Sequence, residues 1–146
     1  MTKKIFFLSF LSLFIFVSCE KKKILKSIVG TYSIVNTGSP GGMNPSEWTY
    51  ELKVEKHDDR DHYLVFHNFV NIGGGIYNYT VEASRTQPTE FSIVHQHPDS
   101  ESEWITGCTF THAFGHFSGD SIYYEYEYTN VAGEIRWGIG SGIKMD

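Results

Sequence analysis

Glu47-Trp48-Thr49-Tyr50-Glu51-Leu52-Lys53-Val54-Glu55 alternates without a break between side chains that avoid water and side chains that seek it. A period of two is the mark of a strand with one buried and one wet face, as in antiparallel sheets. The spacing therefore predicts a strand over Glu47–His57. Working outward, similar runs predict strands at Gly30–Thr37, His62–Val70, Gly75–Ala83, Thr89–His97, Glu103–Phe114, Ser121–Thr129 and Glu134–Lys144. Turn-forming residues separate them, among them Asp58-Asp59-Arg60-Asp61, Asn71–Gly75, Gln87-Pro88, His97-Pro98-Asp99-Ser100, Ser118-Gly119-Asp120 and Asn130–Gly133. No helical pattern follows Ile24–Ser27. Eight strands in the 119 residues from 28 to 146 leave about 15 for each strand and turn, which is the spacing of an up-and-down meander. A sheet with one apolar face buries that face and removes its edges by curling, so the expected fold is all-β: eight antiparallel strands closing into a barrel or half-barrel.

Parity assigns the expected interior. On the seventh strand Ile122, Tyr124, Tyr126 and Tyr128 face one way, and Tyr123, Glu125 and Glu127 the other. On the eighth, Ile135, Trp137, Ile139 and Ile143 oppose Arg136, Gly138, Gly140, Gly142 and Lys144, and the apolar set is expected inside. Beyond residue 18 the chain carries nine Tyr, three Trp and six Phe. Of these, Trp48, Tyr50, Tyr77, Tyr79, Tyr124, Tyr126 and Trp137 are expected to share one interior. Such side chains can simply fill an eight-stranded barrel. They can also wall a cavity in which phenol hydroxyls orient a small apolar or aromatic ligand.

The N-terminus reads as an address. Lys3 and Lys4 precede a largely apolar run of 13 residues, Ile5–Val17, which as a helix spans about 20 Å, short of the roughly 30 Å hydrocarbon core. That length suits a signal h-region. Phe16-Val17-Ser18-Cys19 then resembles a bacterial lipoprotein signal, which implies cleavage before Cys19, acylation of that cysteine and a membrane anchor in the cell envelope, most simply the outer membrane. The expected organisation is a signal peptide at 1–18, a lipidated Cys and basic tether at 19–27, and one barrel domain at 28–146. From Ser27 onward six Lys and Arg face sixteen Asp and Glu, a formal charge of −10. A body of that charge repels phosphate backbones, which excludes general nucleic-acid binding.

Once Cys19 is acylated, Cys108 is the one thiol left, and burial is the usual fate of an unpaired cysteine. Histidine is the residue type in excess, at seven. His95 and His97 share a strand face, and Cys108 shares parity with Phe110, His112 and Phe114. If strands five and six pair, His95, His97, Cys108 and His112 could converge on zinc or copper. The plainer expectation is that these histidines line a barrel end or face water, and that no cofactor is held. Gly73-Gly74-Gly75 has no helix or Lys after it and reads as a turn. No nucleophile is paired with a base in a local motif, so the chain is not expected to be an enzyme.

Gly30-Thr31-Tyr32 resembles the Gly-x-Trp opening of lipocalins, with Tyr for Trp. In those barrels an Arg of the last strand packs across the aromatic; Arg136 is the candidate, although its parity points it outward. Asn68-Phe69, Gly73–Gly75, Phe91-Ser92-Ile93-Val94-His95-Gln96 and Ser118-Gly119-Asp120-Ser121-Ile122 are similar to the pattern of small lipocalin-like lipoproteins of the Gram-negative envelope. The resemblance implies a barrel and an envelope location, and supplies no activity. The sequence thus points to a lipid-anchored binding protein whose partner is a small molecule in the cavity or another envelope protein. The latter would meet its outer face or loops such as Ser39–Ser46.

Overall fold

The structure is a computed structural model that describes residues 23–39, 46–72 and 78–145. The expected signal peptide at 1–18, Cys19, Tyr77, Gly73–Gly75 and most of the Ser39–Ser46 loop lie outside the described residues. A helix at 23–28 (α1) precedes eight strands: β1 Gly30–Ser39, β2 Ser46–Lys56, β3 Tyr63–His67, β4 Thr80–Gln87, β5 Glu90–Gln96, β6 Thr109–Ser118, β7 Ser121–Thr129 and β8 Ile135–Lys144. Every neighbouring pair is antiparallel, and β8 returns to β1, so the sheet is a closed barrel. The expected meander is the observed fold.

At one end of the barrel lie the β2–β3, β4–β5 and β6–β7 connections and the start of β1, where α1 buries Ile28 and packs Leu25 on the core. Tyr32 donates its hydroxyl proton to the Ile28 carbonyl at 2.7 Å, and Lys144 Nζ donates to the Ser27 carbonyl at 2.8 Å. Lys144 is the cross-strand partner of Tyr32. The basic residue beside the Gly30–Tyr32 opening is therefore Lys144. Arg136 stands at the far end of β8, where it bonds Glu134 at 2.5 Å.

The other end carries the long connections. After β3 the chain turns through Asn68, Val70 and Asn71, all with positive φ (60°, 69° and 56°), and drives Phe69, Val70 and Ile72 into the barrel. A β-branched residue such as Val70 rarely adopts that conformation, at a cost of about 1–3 kcal/mol. This segment was expected to continue the third strand to Val70. It is instead a plug. The start of the expected sixth strand is likewise a short helix, Glu103–Thr106 (α2), whose Ile105 is buried, and β6 begins only at Thr109.

Two side-chain assignments are reversed. On β8 it is Gly138, Gly140, Gly142, Arg136 and Lys144 that turn inward, while Ile135, Trp137, Ile139 and Ile143 are exposed at 60%, 51%, 57% and 65%. The reason is volume. The rings of Tyr124 and Tyr126 on β7 lie against the β8 backbone, so a Cβ on Gly140 would sit 2.2 Å from Tyr124 Cζ, and one on Gly138 2.4 Å from the Tyr126 hydroxyl. No side chain fits beneath those rings. On β6 the register shifts between Phe110 and His112, and this bulge sends His112 and Phe114 outward although Cys108 and Phe110 point in.

These reversals predict opposite outcomes for adjacent residues. Gly140→Ala should lower stability to urea by about 1–3 kcal/mol through overpacking, whereas Ile139→Thr should change it by less than about 0.5 kcal/mol. Urea midpoints of both variants check this, and the opposite ranking would return β8 to the parity that hydropathy alone suggests.

Candidate functional site

The interior tyrosines come together, and they bond to the protein itself. Tyr50 and Tyr124 share a hydroxyl–hydroxyl hydrogen bond, and Tyr50 Oη also accepts the Val70 N–H at 2.9 Å. Tyr79 donates to the Phe69 carbonyl and accepts the Ile72 N–H at 3.0 Å. Phe69 itself sits among Phe66, Phe110 and Tyr124, with ring centroids 4.8–5.5 Å apart. The hydroxyls that could have oriented a ligand thus satisfy the backbone of the plug, whose buried polar groups would otherwise go unpaired.

Of the seven aromatics expected inside, Tyr50, Tyr79, Tyr124 and Tyr126 are buried, and Trp48 is half-buried against the core. Tyr77 lies outside the described residues. Trp137 is on the outer surface, a correction that follows from the glycine face of β8. Tyr126 Oη accepts from Asn36 Nδ2 at 2.7 Å. Asn36 is fully buried and its Oδ1 has no partner.

The expected His/Cys set does not assemble. His95 and His97 are exposed, and the ring of His97 donates through Nδ1 to the Cys108 carbonyl at 2.8 Å. The Cys108 side chain points the other way, buried, with Sγ 3.6 Å from the Trp104 carbonyl oxygen. His112 is turned out by the β6 bulge and stacks on Phe114. Among the described residues no group of three or more His, Cys, Asp or Glu is placed to hold a metal ion.

The unanticipated feature is on the outside. The exposed β8 row of Ile135, Trp137, Ile139 and Ile143 is flanked on β1 by exposed Val35, and across β7 and β6 by exposed Tyr123 and Phe114. Register places Ile139 between Glu125 and Thr37, and Trp137 beside Glu127. Ile143 lies between Ser121 and Ser33. One strand further on, Thr37 pairs with Glu47 and Ser33 with Glu51. A mostly apolar row, interrupted by Ser141, thus runs along β8, with Glu125 and Glu127 on the adjacent β7 and Glu47 and Glu51 on β2 beyond β1. Hydropathy marked these residues as apolar; only the crowding by β7 tyrosines reveals that they face water.

No known family model matches the chain, and no curated protein matches it either.

Burial governs the ionisation of the interior. It pushes the Tyr50, Tyr79, Tyr124 and Tyr126 phenols above their usual range, and raises Tyr32 to about 12 with help from the nearby Asp120 charge. A raised folded-state value means that the unfolded chain loses its proton first, near pH 10. The associated stability is therefore full below pH 10 and is lost as pH climbs from 10 through 12. Absorbance at 295 nm, followed with circular dichroism, should show these phenols ionising together with unfolding. Their ionisation near pH 10 in a still-folded protein would contradict a packed interior.

Proposed function

We propose that this protein is a non-catalytic interaction module of the cell envelope that docks a macromolecular partner on the outer face of β8. The observation that carries the reading is the exposed apolar row Ile135, Trp137, Ile139 and Ile143. Only Ser141 interrupts it, and soluble proteins seldom leave so many apolar side chains together in water without a use for them. The interior supports the same choice, because the Tyr50, Tyr79 and Tyr124 hydroxyls are engaged with one another and with the plug. Anchoring through acyl chains on Cys19 belongs to this reading and rests on the sequence at Val17-Ser18-Cys19.

A second reading, a small ligand held beside Asn36 near the end of β1, draws on the buried and unpartnered Asn36 Oδ1 beside Tyr126. Buried acceptors without donors are rare. A reproducible extra mass of a few hundred daltons in native mass spectrometry, lost in Asn36→Ala, would favour it.

The docking reading is tested with a photoreactive benzoylphenylalanine placed at Ile139 or at His95 in the full-length protein in its own cells. Position 139 should give a discrete cross-linked species and position 95, exposed on β5 away from β8, should not. Equal yields at both positions, or none at 139, would overturn the reading. Cys19→Ala should in parallel abolish incorporation of labelled palmitate and release the protein from the membrane fraction.

A further inference from the structure

We infer that the occupant of the β8 face is a cationic amphipathic helix of a partner protein, its apolar stripe laid along the strand and its Lys or Arg flanks set against the two glutamate rows. The inference rests on the docking reading above and names the chemistry of the partner.

Three observations carry it. The first is charge. Glu125 and Glu127 of β7 border the apolar residues on one side; on the other, Glu47 and Glu51 of β2 stand one strand further out, beyond Ser33, Val35 and Thr37 of β1 and on the same face as Lys53, within a body of net charge −10 from Ser27 onward. Complementary charge on both flanks of an apolar centre fixes the register of a partner and speeds its arrival. A second copy of this chain would bring the same glutamates face to face, and an anionic bilayer would be repelled by them.

The second is dimension. From Ile135 to Ile143 the strand rises about 27 Å, the length of about 18 helical residues. Around the barrel wall the glutamates of β7 and β2 are three of eight strand spacings apart, about 14 Å along the backbone and further at the side-chain ends because the closed wall curves, and a helix with its side chains is about 10–12 Å across. Lys and Arg can lay their methylenes over apolar surface while their charged ends reach outward to those rows.

The third is closure. β8 is paired with β7 on one side and with β1 on the other along nearly its whole length, so at this face no edge is free to recruit an extended peptide as an added strand. Recognition falls to side chains on a pleated face, and a helix presenting apolar residues at i, i+3, i+4 and i+7 supplies a matching row.

The test uses the full-length protein and three probes: an 18-residue Leu/Lys peptide helix with one Leu stripe, its Leu/Glu counterpart, and phosphatidylcholine vesicles. Calorimetry should find binding of the Leu/Lys peptide that falls at least tenfold in Ile139→Asn or Ile143→Asn, both surface changes that leave the fold intact by circular dichroism. It should fall about fivefold in Glu47→Gln/Glu125→Gln and weaken in 0.5 M salt. The Leu/Glu peptide should bind at least tenfold less tightly. Unchanged affinity in both Asn variants would overturn the inference, because the attraction would then be diffuse charge. Equal binding of the two peptides, or no binding of the Leu/Lys peptide, would overturn it as well. So would Ile139-dependent dimerisation in sedimentation, or Ile139-dependent flotation with the vesicles. In each of these cases a cross-link at position 139 would still leave the face as an interface, whereas its absence would remove the docking reading itself.

Discussion

Two tyrosine rings resting on bare glycine backbone determine how this barrel is built. Tyr124 and Tyr126 occupy the space that β8 side chains would otherwise fill, so β8 closes the barrel with Gly138 and Gly140 beneath them. Cores are packed to a density that leaves no room for both sets of side chains. Filling the interior from one strand forces its neighbour to turn its apolar residues out. The exposed row on β8 is thus the outer consequence of an inner packing decision.

A second pair of tyrosines, Tyr50 and Tyr79, holds the plug in place. Driving Phe69 into the barrel brings backbone N–H and carbonyl groups with it, and buried groups of that kind cost free energy unless they are bonded. Tyr50 and Tyr79 supply the bonds, to Val70, Ile72 and Phe69. Phenols suit the task because each ring adds apolar area while its hydroxyl reaches a polar partner. The positive-φ turn at Asn68, Val70 and Asn71 is tolerated for the same reason: the bonded and packed plug offsets its strain.

Strand number, order and closure were legible because alternation survives wherever one face is wet. β7 was read with both ends correct, β8 was one residue too long at its start, and β2 was displaced by one residue. What period cannot give is which face of a strand points inward when both the apolar and the glycine faces are plausible, as on β8. Nor does it reveal a bulge, and the one between Phe110 and His112 turned His112 away from Cys108. The plug was hidden because Asn68-Phe69-Val70 prolongs an apolar run, and only its left-handed backbone sets it apart. Of the candidate interior, four tyrosines were placed correctly and Trp137 was not. The docking face was visible as residues but not as a surface.

The contact between rings and glycines is the claim on which the outer face depends, and nuclear Overhauser spectroscopy reads it most directly. The account predicts cross-peaks from the Tyr124 and Tyr126 ring protons to the α-protons of Gly140 and Gly138, with those α-protons shifted upfield by the ring currents. Cross-peaks from the same rings to the side chains of Ile139 and Trp137 would contradict it, because β8 would then bury its apolar face and leave nothing outside to bind.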